Sequence, residues 1–118
     1  MSPKRTFINA FRGLWHFLRT ESNNRFHLPA ALLAILAGWY FHIALTEWLF
    51  IATAIGIVLA AEAFNASLEK LCDAVKPEQN ERVKNTKDMA AGAVLISAIV
   101  ALTIGLIIFV PKLLSLFV

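Results

Sequence analysis

Glu62, Asn65, Glu69 and Asp73 recur at steps of three or four inside the run Ala61-Glu62-Ala63-Phe64-Asn65-Ala66-Ser67-Leu68-Glu69-Lys70-Leu71-Cys72-Asp73. At about 100° per residue in an α-helix they share one face, within an arc of roughly 80°. Between Glu47 and Glu62 the chain holds no other charge. The carboxylate stripe therefore starts inside a membrane-length helix and runs out toward water. Ionisable groups in such a place are costly and point to function. Glu62 is the deepest acid, about 20 Å along the helix from residue 75 at ~1.5 Å per residue. Partial desolvation makes such a carboxylate a better proton acceptor. The substrate in its reach is a hydroxyl at the level of lipid headgroups.

Further acids, Glu21 and Asp88, are expected on the same side. Mg²⁺ takes one or two protein carboxylates together with substrate phosphates. Lys87, beside Asp88, adds a point charge able to meet a phosphate. Phosphoryl transfer needs mainly positioning, electrostatic stabilisation and a base that orients the attacking hydroxyl.

Each residue also has a structural reading. Glu62 and Asn65 could bond a neighbouring helix. Glu69 and Asp73 could form a solvated face paired with Lys70 or Lys76. Glu21 could sit on an interfacial turn, and Lys87 and Asp88 could anchor the start of a span. His16, His27 and His42 show no metal-ligand spacing. Cys72 is the single cysteine, so no internal disulfide forms, and it reads as a packing residue. There is no G-x-x-x-x-G-K-[ST] and no protein-kinase glycine loop. The residues alone thus imply a membrane protein with an acidic site on its cytoplasmic side. A proton-coupled transporter using Glu62, or a non-catalytic adaptor, competes with a lipid kinase at this stage. Clustering of the acids at one interface argues against a midplane transport site.

The elements that hold these residues are all helical. Hydrophobic residues make up 58% of 118, and the mean hydropathy is +0.67, which points to an all-α integral membrane protein. No cleavable signal peptide is evident. Phe7, Ile8, Phe11, Leu14, Trp15 and Leu18 alternate with Lys4, Arg5, Arg12 and Arg19, so residues 3–20 read as an amphipathic helix lying in the membrane interface. Three spans follow, over about 28–45, 48–75 and 81–110. Pro29 is expected in the first turn of the first span. A very short connection near Thr46-Glu47 makes the first two spans antiparallel. Pro77 ends the second and Pro111 the third. Ala90-Ala91-Gly92-Ala93 reads as a close helix contact. Five of the eleven Lys and Arg precede the first span, five lie between Lys70 and Lys87, and Lys112 follows the third. The N-terminus and residues 70–88 are therefore expected in the cytoplasm. Trp39, Tyr40 and Trp48 suit the opposite interface.

The double motif Glu62-x-x-Asn65-x-Ser67-Leu68-Glu69-x-x-x-Asp73 and Lys87-Asp88-Met89-Ala90-Ala91-Gly92-Ala93-Val94-Leu95 resembles the prokaryotic diacylglycerol kinase family. That family of small membrane kinases includes undecaprenol kinases. The resemblance runs from Phe11-Arg12-Gly13-Leu14 to Pro111-Lys112. It implies a homotrimer of three-span protomers, each with an N-terminal surface helix, in the bacterial inner membrane. It implies ATP as co-substrate, Mg²⁺ as cofactor and a lipid alcohol as acceptor, with no nucleic-acid partner. Glu62 resembles the general base. Glu21 and Glu69 resemble Mg²⁺ ligands that also contact ATP. Asp73, Lys87, Asp88 and Glu78 resemble ATP-binding residues, and Asn65 a supporting one. His27 stands where the diacylglycerol-kinase subtype carries an acid, and Ala66 where a hydroxyl residue is more usual. Glu21-x-x-x-Arg25-x-His27 and Gly105-Leu106-Ile107-Ile108-Phe109-x-Pro111-Lys112 are more similar to the undecaprenol-kinase branch. Helix spacing does not choose between the two lipids.

Overall fold

The computed structural model describes residues 2–75 and 80–118. Helix α1, Pro3–Thr20, begins where Ser2 Oγ accepts from the Arg5 amide at 3.3 Å and Pro3 takes the first helical position. Phe17 alone on this helix is buried, while Phe7, Phe11, Leu14 and Trp15 stay exposed. The chain covers no more of that apolar face, in keeping with a helix lying on a bilayer.

A three-residue joint leads to α2, Asn24–Tyr40. This helix starts four residues before the expected Leu28 and ends five before Leu45. Glu21 to Asn23 make the joint, because the amides of Asn24, Arg25 and Phe26 already bond the carbonyls three residues back, at 3.0–3.2 Å. Pro29 accordingly lies in the second turn of α2, not its first. The buried Asn24 Nδ2 donates to the Phe17 carbonyl at 2.9 Å and ties α1 to α2.

The turn into α3, Leu45–Ala74, falls at residues 41–44, ahead of Thr46-Glu47. An apolar run hid it. Ile43 folds inward onto Ile51 and Ile108 instead of continuing the helix, and His42 supplies the left-handed φ of 50°. Glu47 then caps α3 by accepting from the Ala44 amide at 2.9 Å.

Helix α4, Glu81–Ser115, opens on Asn80, whose side chain accepts from the Arg82 amide at 2.9 Å. It passes straight through Pro111. The expected stop fails because Lys112 anchors the following turn, donating to Glu47 Oε2 at 2.6 Å and to the Ile108 carbonyl at 3.1 Å. Within Ala90-Ala91-Gly92-Ala93 only Ala90 is buried, and Gly92 has open space around it. Pro77 and Glu78 lie outside the described residues.

Helices α3 and α4 are an antiparallel pair, with Glu47 on Lys112 at one end and Asp73 on Lys87 at the other. Both are long and apolar enough to cross a membrane; at ~1.5 Å per residue each exceeds a hydrocarbon core of about 30 Å. Helix α2, with 17 residues, is near the lower limit for a span. It packs on α3 through a stripe at residues 27, 31, 34 and 38. Gly38 is required there: a Cβ would fall 2.7 Å from the Trp48 ring. The molecule is only 21 Å thick in its shortest dimension, so most apolar side chains face outward.

Candidate functional site

The packed face of α3 carries Ile51, Ala54, Glu62, Asn65, Ala66 and Cys72. Steps of three, four and seven put Glu62 and Asn65 on the same stripe as the apolar core residues, so the helix that packs must also bury them. Glu62 is 5% exposed. Its Oε1 lies 2.8 Å from His27 Nε2, and its Oε2 accepts from Asn23 Nδ2 at 3.3 Å. Among the described residues no lysine or arginine bonds it. Both partners come from the α1–α2 joint and the first turn of α2.

One turn further on, Asn65 Nδ2 donates to Glu69 Oε1 at 3.2 Å. Among the described residues the buried Asn65 Oδ1 has no partner, which leaves an oxygen able to receive a donor or a cation. Glu21 Oε1 stands 3.3 Å from Lys70 Nζ, and that ammonium is 3.5 Å from His16 Nε2. Lys87 Nζ donates to Asp73 Oδ1 at 2.9 Å. Solvent reaches the Glu21–Lys70 and Asp73–Lys87 pairs, which are therefore held weakly and can exchange partners for phosphate oxygens.

Glu21, Glu62, Asn65, Glu69, Asp73 and Lys87 thus lie along the half of the bundle that ends at the Asp73–Lys87 pair. Asp88 does not join their contacts: it pairs with Lys84 at 3.1 Å along its own helix and is exposed. Among the described residues no three His, Cys, Asp or Glu side chains converge to hold a metal unaided. Glu21, Glu69 and the unpartnered Asn65 Oδ1 supply hard oxygen donors only. That fits a hard cation completed by phosphate and water better than a closed protein cage.

From His27 an apolar groove of about 650 Å³ runs between α2, α3 and α4, past Ala34, Val58 and Ala101 to Phe41 and Phe109. Among the described residues His27 is its one polar lining residue. Glu62 adjoins this groove, suited to hydrocarbon, through its contact with His27.

Sequence reasoning missed Asn23 and His27. The signal for His27 was present: it heads the small-residue stripe Ala31, Ala34 and Gly38 at helical steps, so the face of α2 that meets α3 includes the imidazole. For Asn23, in a joint whose path only the fold decides, there was none.

Comparison with known proteins shows the family of the chain. A sequence model described as prokaryotic diacylglycerol kinase matches residues 8–109. An undecaprenol kinase of Bacillus subtilis is 37% identical over 109 residues, which cover 92% of this chain and 89% of that protein. A diacylglycerol kinase of Synechocystis is 33% identical over 114 residues, 96% of this chain and 65% of that longer protein.

Proposed function

The chain belongs to the prokaryotic diacylglycerol kinase family and is a lipid kinase; from that premise we propose that it transfers the γ-phosphoryl group of ATP to a membrane lipid alcohol at the cytoplasmic interface. Undecaprenol is the first candidate acceptor, since the undecaprenol kinase is matched over nearly its whole length. Diacylglycerol is the second. The observation that carries the proposal is Glu62: a buried carboxylate without a lysine or arginine partner among the described residues, bonded to the His27 that lines an apolar groove.

In this reading the hydrocarbon lies along the groove and the hydroxyl reaches Glu62. As the hydroxyl O–H bond breaks, its proton passes to a carboxylate oxygen of Glu62. The alcohol oxygen bonds to the γ-phosphorus while the bond from that phosphorus to the β-phosphate oxygen breaks, leaving a lipid phosphate and ADP. Lys87 releases Asp73 to meet phosphate oxygens, with Asp73, Asp88 and Glu78 as further nucleotide contacts. Glu21 and Glu69 are the proposed Mg²⁺ ligands, supported by Asn65. Mg²⁺, when bound, neutralises charge on the phosphate oxygens.

The same reading takes α2 as a third span and three protomers as the working unit in the bacterial inner membrane, with the N-terminus in the cytoplasm. Lysine and arginine placement supports the orientation. The outward apolar faces of α2 and α4 support burial by lipid and by other copies. Proton-coupled transport by Glu62 loses its ground once the chain is a kinase.

Purified protein in bilayers, given γ-labelled ATP and either lipid at matched mole fraction, should form labelled lipid phosphate. Glu62→Gln should lower that rate by about 100-fold or more. A folded wild-type protein that labels neither lipid, or an equally active Glu62→Gln, overturns the proposal.

A further inference from the structure

Glu62 is buried, so its carboxylate needs hydrogen-bond partners that leave it free to accept a proton. A lysine in contact would hold the charge but weaken the basicity. Among the described residues the lysines of this region are engaged elsewhere: Lys70 with Glu21, Lys87 with Asp73, Lys84 with Asp88. What remains is the short contact from His27 and the longer one from Asn23. An ionised carboxylate only accepts, so it selects the imidazole tautomer protonated at Nε2. His27 is held in the first turn of α2 and three-quarters buried, and it lines the groove at its polar end. Asn23 is exposed, in the joint.

We propose that His27 is the positioning residue for Glu62: its Nε2–H, donated to Oε1, fixes the orientation of the buried carboxylate and leaves its remaining lone pairs to a hydroxyl entering from the groove. The imidazole holds one carboxylate oxygen and leaves the other side of the group open. This inference rests on the lipid-kinase reading with Glu62 as proton acceptor, and it can fail while that reading stands.

The test measures lipid phosphorylation in bilayers by wild type, His27→Ala, His27→Gln and Glu62→Gln. Loss of one hydrogen bond to a charged group predicts a fall in kcat of about 10- to 100-fold for His27→Ala. The KM for Mg²⁺-ATP should stay within about twofold, because His27 acts on the proton acceptor and not on the nucleotide. His27→Gln, whose amide offers an N–H near the same point, should recover to within about fivefold of wild type. Added imidazole should restore part of the rate to His27→Ala and none to Glu62→Gln. If His27→Ala does not fold, His27→Leu fills the ring's volume and carries the same expectation. Folded His27→Ala and His27→Gln both within twofold of an active wild type overturn the inference. So does a loss confined to the KM for ATP, or a His27→Gln as inactive as His27→Ala without any response to imidazole. A wild type that labels no lipid alcohol overturns the kinase reading and this inference with it.

Discussion

At one end of the α3–α4 pair, Glu47 is held by Lys112 at 2.6 Å and by the Ala44 amide at 2.9 Å. About 20 Å further along α3, Glu62 meets a histidine at 2.8 Å and an asparagine at 3.3 Å. Both are glutamates on α3, set in a chain that is mostly apolar. Glu47 is matched by a full opposite charge on the neighbouring helix, so it closes the bundle and has little left to offer chemistry. Glu62 is more deeply buried and, among the described residues, has hydrogen bonds but no lysine or arginine. With Glu62 as the proposed proton acceptor, the difference separates a structural acid from a reactive one within a single helix: the partner's charge decides, more than depth.

Exchanging the two amides is the strongest way to break this contrast. Glu62→Gln should remove nearly all phosphorylation, with a small change in the thermal unfolding midpoint. Glu47→Gln should lower that midpoint while turnover of the folded fraction stays within about threefold, since the lost group sits about 20 Å from Glu62 along α3. Equal loss of turnover in both would erase the distinction. Gly38→Val comes next. It drives a branched side chain into Trp48 and should destabilise by about 1–3 kcal/mol, read as unfolding in detergent or lipid. Because α2 also carries His27, activity should fall with it. Asn23→Lys sharpens the comparison by giving Glu62 a Glu47-like partner. It should lower kcat by about tenfold through weakened basicity, with no loss of thermal stability. Rates unchanged with a lysine at 23 would show that the partner's charge does not matter. Asn24→Ala should have the smallest effect, about 1 kcal/mol from the lost bond to the Phe17 carbonyl. Faster proteolysis near residues 18–24 would report the loosened joint between α1 and α2.

Periodicity and composition made much of this protein legible. The apolar steps in residues 7–18, with Ser2 and Pro3 ahead of them, specify α1. Asn80 before Glu81 specifies the start of α4. The 62–65–69–73 spacing specifies a shared face, because 3.6 residues per turn leaves no other solution once the run is helical. Helix ends were less legible. Pro111 looks like a stop until Lys112 finds Glu47, and the apolar Phe41 and Ile43 look helical until Ile43 finds Ile51 and Ile108.

By itself, then, the sequence determined which side chains share a helix face, which segments prefer hydrocarbon to water, and which family the chain belongs to. All of these depend on short-range spacing or on residue identity. Tertiary structure alone decided which charges meet. Lys70 turns to Glu21, Lys87 to Asp73, and Glu62 is left to His27 and Asn23, from a segment more than thirty residues away. Such pairings follow from how α2 crosses α3 at Gly38 and how the joint at 21–23 turns, and no local rule of the chain encodes either path.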